Sequence, residues 1–174
     1  MITPTMLDSL KQLDAVIGSA ERAGARRVFL VDEPTAAAIG ADLPVHEPYG
    51  HMVVDIGGGT SEVAVISLAN VVDGECLRVA GDDFNEAIQQ YIRNKFNLLV
   101  GEITAEKLKI AAGSAMPLEQ EIEVEIRGRD SLTGLPRRAI VTSNDVRDAL
   151  SEPVRKIVDA VKHVLERTPP ELAA

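Results

Sequence analysis

The sequence predicts an α/β domain carrying a small α+β insert. Three observations point there. Short apolar, β-branched runs alternate with longer stretches whose apolar residues recur at helical spacing. A glycine triplet, Gly57-Gly58-Gly59, sits between two of the strand-like runs. Between two helical stretches, residues 121–126 alternate charged and apolar side chains, the pattern of a half-exposed strand.

The elements follow in order. Met6, Leu10, Leu13, Ile17 and Ala20 recur at spacings of four, three, four and three, one face of a helix, and Gly24 reads as its C-cap. Residues 27–31, Arg-Val-Phe-Leu-Val, read as a short buried strand. Residues 32–40 read as a helix, with Pro34 in its first turn and alanines behind it. Pro44 and Pro48 break the chain into a loop. Residues 52–56 form a strand that ends in the glycines, and a second strand follows at 62–67. Residues 70–72, a turn at Asp73-Gly74 and residues 76–80 complete a meander. Phe84, Ala87, Ile88, Tyr91 and Ile92 make a further helical stripe, and a shorter helix spans 104–112. The strand at 121–126 leads into a loop at 127–136, with Gly128, Gly134 and Pro136, and then a strand at 138–142. The last helix opens near Ser143. Its stripe is Val146, Leu150, Val154, Ile157, Val161 and Val164, and Pro153 predicts a kink or a later first turn. Residues 1–95 and 143–174 are thus expected to form the core, with 96–142 as the insert.

Composition narrows the function. The chain has 174 residues, 45% hydrophobic and 26% charged, an ordinary globular balance. Its net charge of −9 gives the bulk surface no electrostatic attraction for nucleic acid or anionic lipid. Aromatics are 3% with no tryptophan, too few for base-stacking platforms. One cysteine, Cys76, excludes an internal disulfide framework and a multi-cysteine zinc site. No apolar run reaches the ~18 residues of a membrane span, and no secretory leader pattern opens the chain. The expected compartment is the cytoplasm. His46, His51 and His163 show no metal-ligand spacing.

The sharpest motif is Asp55-Ile56-Gly57-Gly58-Gly59-Thr60. Glycines let the backbone approach a ligand closely, and their amides can converge on an anion as a phosphate nest. Asp55 is placed to hold Mg²⁺ or its waters, since magnesium takes only one or two carboxylates. Thr60 can add a hydroxyl. A glycine-rich hairpin with a solvated aspartate would leave the same residues. Glu33, beside Pro34, could orient an attacking water, the main protein task in phosphoryl transfer besides charge stabilisation, or simply stabilise a helix N-terminus. Glu106 and Lys109, three apart on one helix face, could grip a ribose or base, or form a surface ion pair. Gly81-Asp82 could approach a nucleotide or merely turn the chain.

Together these segments resemble one family. Asp32-Glu33-Pro34-Thr35-Ala36-Ala37-Ala38-Ile39-Gly40, followed by Met52-Val53-Val54-Asp55-Ile56-Gly57-Gly58-Gly59-Thr60, is similar to the actin and heat-shock-chaperone ATPase superfamily. Ala80-Gly81-Asp82-Asp83-Phe84, Leu99-Val100-Gly101-Glu102, Ile126-Arg127-Gly128-Arg129-Asp130 with Thr133-Gly134-Leu135-Pro136, and residues 165–172 narrow the resemblance to the bacterial actin homologues MreB and Mbl. It covers nearly the whole chain and is weakest before about Ala20.

The resemblance implies the second large domain of an actin-like, ribonuclease-H-like ATPase. By position, Gly57, Gly58, Gly59 and Thr60 match the second phosphate loop, and Asp55 the carboxylate near the metal. Glu33 matches the residue that orients the hydrolytic water. Gly81 and Asp82 match a nucleotide contact, in which Ala80 replaces the usual glycine. Glu106 and Lys109 match the helix that contacts adenosine. ATP and Mg²⁺ are the implied cofactors. The family forms membrane-associated filaments that organise cell-wall synthesis and maintain rod shape, with a membrane-embedded adaptor on this domain. A first domain with its own phosphate loop, and a second glycine-rich adenosine motif after the Pro-Pro-Glu-Leu segment, are absent from these 174 residues. The chain is therefore expected to be a truncated form holding half a nucleotide site, with little or no hydrolysis and no direct lipid binding of its own. A chaperone-type or a sugar- or acetate-kinase-type ATPase domain is the alternative within the same superfold.

Overall fold

The structure, a computed structural model, describes residues 4–173, with side chains from residue 11 onward. It divides into two compact units, residues 1–33 and 34–174.

The first unit is built on helix α1 (Pro4–Arg22). Met6 and Leu10 of its apolar stripe lie outside the described side chains, while Leu13 and Val16 are exposed. The helix ends as the glycine predicts. Gly24 takes φ +101°, and the N–H of Ala25 donates to the carbonyl of Ala20, closing a Schellman turn. Residues 27–31 form no strand, contrary to the sequence reading. A strand persists only where a neighbouring backbone takes up its N–H and C=O groups. No ladder forms here among the described residues, and Phe29 is left 78% exposed. Glu33 closes this unit and is the first residue of helix α2 (Glu33–Gly40).

The second unit holds two three-stranded antiparallel sheets. In the first, β1 (His51–Ile56), β2 (Ser61–Ser67) and β3 (Asn70–Leu77) lie in sequence order, so β2 is central. Its two faces meet different cores. Val63 and Val65 pack with Ala160 and Val164, while Ile66 packs with Ala38 of α2 and Val45 of the proline loop. That explains why this strand reads as an apolar run rather than an alternation.

The turn of this meander is not where the sequence placed it. Leu68 and Ala69, both at positive φ (50° and 60°), connect β2 to β3, and Asp73-Gly74 lies inside β3. Two successive positive-φ residues are the geometry of a tight two-residue hairpin. Leu-Ala carries no sequence signal for it, whereas Asp-Gly does. Gly74 serves packing instead: a Cβ there would stand 3.2 Å from the carbonyl of Val63. A bulge between Val65 and Ile66 absorbs the extra residue Val72.

Helix α3 (Gly81–Phe96) follows, then β4 (Leu98–Leu99), helix α4 (Glu102–Ala112), and the hairpin β5 (Glu123–Asp130) and β6 (Pro136–Thr142). The sheet order is β4-β5-β6. Half of the loop read at 127–136 is strand, because β5 runs on through Gly128 to Asp130 and β6 opens at Pro136. Gly128 is required there, since a Cβ would overlap the carbonyl of Leu99 across the β4–β5 pair. The remaining turn is held by Asp130, whose Oδ1 accepts from the N–H groups of Leu132 and Thr133, each at 2.9 Å.

Helix α5 (Ser143–Arg167) closes the unit. It runs uninterrupted through the buried Pro153, so the proline marks neither of its ends. The proline leaves the carbonyl of Ala149 without its helical donor. The first turn is secured by a capping box between Thr142 and Asp145. Val146 and Leu150 join a core with Ile88 and Ile92 of α3, Leu98, Ala105 and Leu108 of α4, Ile126 and Val141. Ala160 and Val164 reach the other sheet. Among the described residues, no helix is long and apolar enough to cross a membrane.

Candidate functional site

The glycine loop forms because β1 and β2 pair up to Ile56 and Ser61, leaving four residues to turn the chain. The N–H of Gly57 donates to the carbonyl of Thr60 at 2.9 Å. None of Gly57, Gly58 and Gly59 needs a positive φ. Their lack of side chains matters for space: a Cβ on Gly58 would face the Asp82 carboxylate at 3.8 Å, and one on Gly59 would meet nothing within 4 Å.

The loop docks on the start of α3. The N–H of Gly81 donates to the carbonyl of Gly57 (3.0 Å) and that of Asp82 to Gly58 (2.8 Å). Ser61 Oγ donates to the carbonyl of Val79 at 2.6 Å. The amides of Gly81 and Asp82 at the α3 N-terminus are therefore already taken. Those of Gly58, Gly59 and Thr60 make no backbone hydrogen bond among the described residues, so they are the ones that can converge on an anion. Ala80 sits in an extended conformation, φ −155°, and its N–H donates to Asp83 Oδ2, so glycine is not needed there.

Helix α4 supplies the opposite wall. Lys109, its side chain only 19% exposed, donates from Nζ to the carbonyl of Gly81 at 3.2 Å and pairs with Glu106 Oε2 at 2.6 Å. A Cβ on Gly81 would lie 3.2 Å from the Gly57 carbonyl and 3.5 Å from Lys109 Nζ. Lys109 first, and the Asn85 amide second, outweigh partial desolvation and hold the Glu106 carboxyl below its ordinary value.

These walls line an open cleft of about 720 Å³ that brings together Gly57, Gly58, Gly81, Asp82, Glu106 and Lys109. Asp55 lies on β1 opposite Glu62, two residues before the loop, and Gly59 and Thr60 are exposed at the loop tip. Glu33, in the other unit, is exposed at the first position of α2. Sequence reading missed Asn85, which also lines the cavity and is 5% exposed. The signal was present: Asn85, Ile88 and Ile92 are the buried stripe of α3, and the first of them is polar.

An α/β unit with a glycine hairpin docked on a helix start, faced by a Lys–Glu pair, fits an actin-like fold. Comparison with known proteins agrees. The chain belongs to the MreB/Mbl family, whose model, described as MreB/Mbl protein, matches residues 1–174. It is 54% identical over 160 residues to the cell shape-determining protein MreB of Escherichia coli strain K12, covering 92% of this chain and 46% of that protein. The crystal structure of MreB5 of Spiroplasma citri bound to AMPPNP superimposes with a TM-score of 0.86 at 38% identity, over 99% of this chain and 50% of that one. The MamK filament structure, at 21% identity and a TM-score of 0.71 over 92% of this chain and 47% of that one, shares the fold. The chain thus spans about half the length of the relatives it matches. The family match sets aside the chaperone-type and kinase-type readings.

Proposed function

We propose that this chain is one wall of the nucleotide site of a bacterial actin-like, cell shape-determining filament protein, and that it binds ATP or ADP. The observation that carries this is a cleft that gathers Gly57 and Gly58 of the glycine hairpin, the α3 start and the Lys109–Glu106 pair. The solved MreB5 neighbour holds AMPPNP, which supports the same ligand class here.

In this reading the amides of Gly58, Gly59 and Thr60 receive phosphate oxygens, which no side chain obstructs. Gly81 and Asp82 brace the loop from below. Lys109 and Glu106 face the nucleoside. Asp55 holds Mg²⁺ through its waters. Among the described residues no group of three or more His, Cys, Asp or Glu side chains converges on a point. One carboxylate beside a phosphate loop fits a magnesium carried in with the nucleotide, which keeps most of its waters, rather than a protein cage. For Glu33 the family resemblance supports the role of orienting the hydrolytic water. One wall cannot exclude water, so the chain alone turns over ATP slowly if at all.

Assembly follows the family: head-to-tail filaments use two unlike faces. The same reading places the protein at the cytoplasmic side of the membrane, with a membrane-embedded adaptor and cell-wall synthesis proteins as partners.

Calorimetric titration with Mg-ATP tests the reading. Binding that Lys109→Ala weakens by roughly 10–100-fold, the effect of one charge-assisted hydrogen bond, and that Asp55→Ala weakens only when magnesium is present, supports it. No heat at millimolar Mg-ATP overturns it for this chain.

A further inference from the structure

We infer that a cleft along α5, beside Arg147, docks an amphipathic helix of a partner protein, and that a carboxylate on that helix takes the Arg147 guanidinium. This is not the nucleotide cleft, with which it shares no lining residue.

The cleft is open, has a volume of about 500 Å³, and lies between α5 and the segment after α4, where Pro117 stands in its wall. Arg147 is half-buried. Its Nη1 is fully buried with no hydrogen-bond partner, and the side chain makes no ion pair among the described residues. That arrangement is costly. An arginine cannot shed its charge by losing a proton, so burial leaves an ion short of an acceptor. Covering apolar neighbours does not account for it, because a snorkelling arginine lays its stem on such a surface and keeps its head in water. The other cations of the cleft are matched within α5 itself: Arg155 to Glu152 at 2.6 Å and Lys162 to Asp159 at 3.8 Å. Asp148 follows Arg147 but is exposed, and adjacent residues of a helix do not face each other. Arg147 is thus the cation that an incoming acceptor would satisfy.

The shape selects the occupant. The α5 residues that line the cleft run from Arg147 to Lys162, about 22 Å at helical rise. That is about four helical turns, far longer than a small anion. Between the charged ends the floor is Leu150, Val154 and Val158, the last of them 44% exposed. The same three side chains line an adjoining cleft of about 510 Å³ that passes Phe84 and Ile157 towards Gly57, so the apolar floor continues beyond the rim. A helix with apolar residues three and four apart fills such a groove by laying a ridge of side chains along α5. The rim decides its charge. A carboxylate brings a single charge to the guanidinium fork. A phosphate brings nearly two and would meet the Asp148 and Asp159 carboxylates on the same rim. The partner helix is therefore apolar along its length and acidic at the Arg147 end.

The test is selection of a displayed library of helical peptides, about four turns long, on the full 174-residue chain, with the Arg147→Gln chain as counter-target. The recovered peptides are expected to share one acidic position beside apolar residues three and four apart. Fluorescence anisotropy then compares one such peptide with a copy in which the acid is replaced by its amide. The acidic peptide should bind the unsubstituted chain about 10-fold more tightly than the amide copy, the effect of one charge-assisted pair. On Arg147→Gln the two peptides should bind alike, a readout that a packing role of the arginine stem would not move. Arg147→Lys keeps the charge and should recover part of the preference, which guards against a folding defect in the glutamine variant. Val158→Asp should weaken both peptides. No enrichment over the counter-target, recovered peptides without a shared acidic position, or a preference that survives Arg147→Gln overturns the inference. So does sedimentation that shows the chain pairing with itself in a form that Val158→Asp makes monomeric, since the occupant is then a second copy.

Discussion

Arg167, in the last turn of α5, grips Asp73 in β3: its Nε donates to Asp73 Oδ2 at 2.8 Å, and its Nη1 reaches Glu75 Oε2 at 3.2 Å. The guanidinium fork is matched to two carboxylates on the same strand, and the pairing holds the Asp73 carboxyl below its ordinary value. Arg167→Ala is expected to lower the thermal midpoint modestly at low ionic strength, and the difference from the unsubstituted chain should shrink in molar salt, because these groups are solvated. Melting curves at two salt concentrations check this. A difference that ignores salt would mean that the arginine acts through its stem rather than its charge.

Gly128→Ala tests the strand that replaced the expected loop. The added methyl meets the Leu99 backbone, and neither β4 nor β5 can yield without losing the Leu98–Asp130 and Leu99–Arg129 pairs. Overpacking of this kind costs about 1–3 kcal/mol. Denaturant unfolding should show that loss, whereas Gly134→Asn, in the hairpin turn at φ +74°, should cost much less.

Acid should weaken the α3–α5 junction. Burial opposes ionisation of Asp145, but the Lys95 ammonium, the Thr142 N–H and the Tyr91 hydroxyl together outweigh it and hold the carboxyl below its ordinary value of 3.8. A carboxyl depressed in the folded state contributes stability that is full above the unfolded pKa and disappears as pH falls through the folded one. The thermal midpoint should therefore drop as pH falls below about 4. Asp145→Ala should flatten part of that slope and cost about 1–2 kcal/mol at neutral pH through the lost hydrogen bonds to Thr142, Lys95 and Tyr91. A slope unchanged in the variant would remove Asp145 from the account.

Gly81→Ala and Gly59→Ala separate bracing from ligand contact. At Gly81 the methyl presses on the Gly57 carbonyl, so the loop must shift by a few tenths of an ångström and nucleotide affinity should fall about 10-fold. At Gly59 the methyl meets no protein atom, so the melting temperature should not change. Equal affinities for the Gly81 variant and the unsubstituted chain would count against the loop's docking on α3 as a requirement for binding.

The sequence was informative wherever one local rule governed. Glu106 and Lys109 were legible as a pair because helical spacing alone puts them on one face, and they meet at 2.6 Å. The glycine hairpin was legible because its flanking strands are apolar. Reading failed where distant packing overrode a local signal. Asp73-Gly74 is the stronger turn dipeptide, yet Arg167, ninety-four residues away, and the close Val63 carbonyl hold it within a strand. Gly128 looked like loop punctuation because Leu98 and Leu99, whose approach demands it, are too short a strand to show in the pattern. Asn85 was passed over because a polar residue on an apolar stripe looks like an interruption until Glu106 is placed beside it.

The two sheets share no strand, yet α5 is common to the cores of both. Its 25 residues span about 37 Å at helical rise, far enough to serve the two halves like a keel. Neither sheet can shed its half of the helix without fraying the other's. Amide hydrogen exchange in β2 and in β5 should accordingly slow and quicken together when α5 is loosened at either end, for instance at Leu150 or at Val164, making residues 61–164 a single cooperative unit of opening.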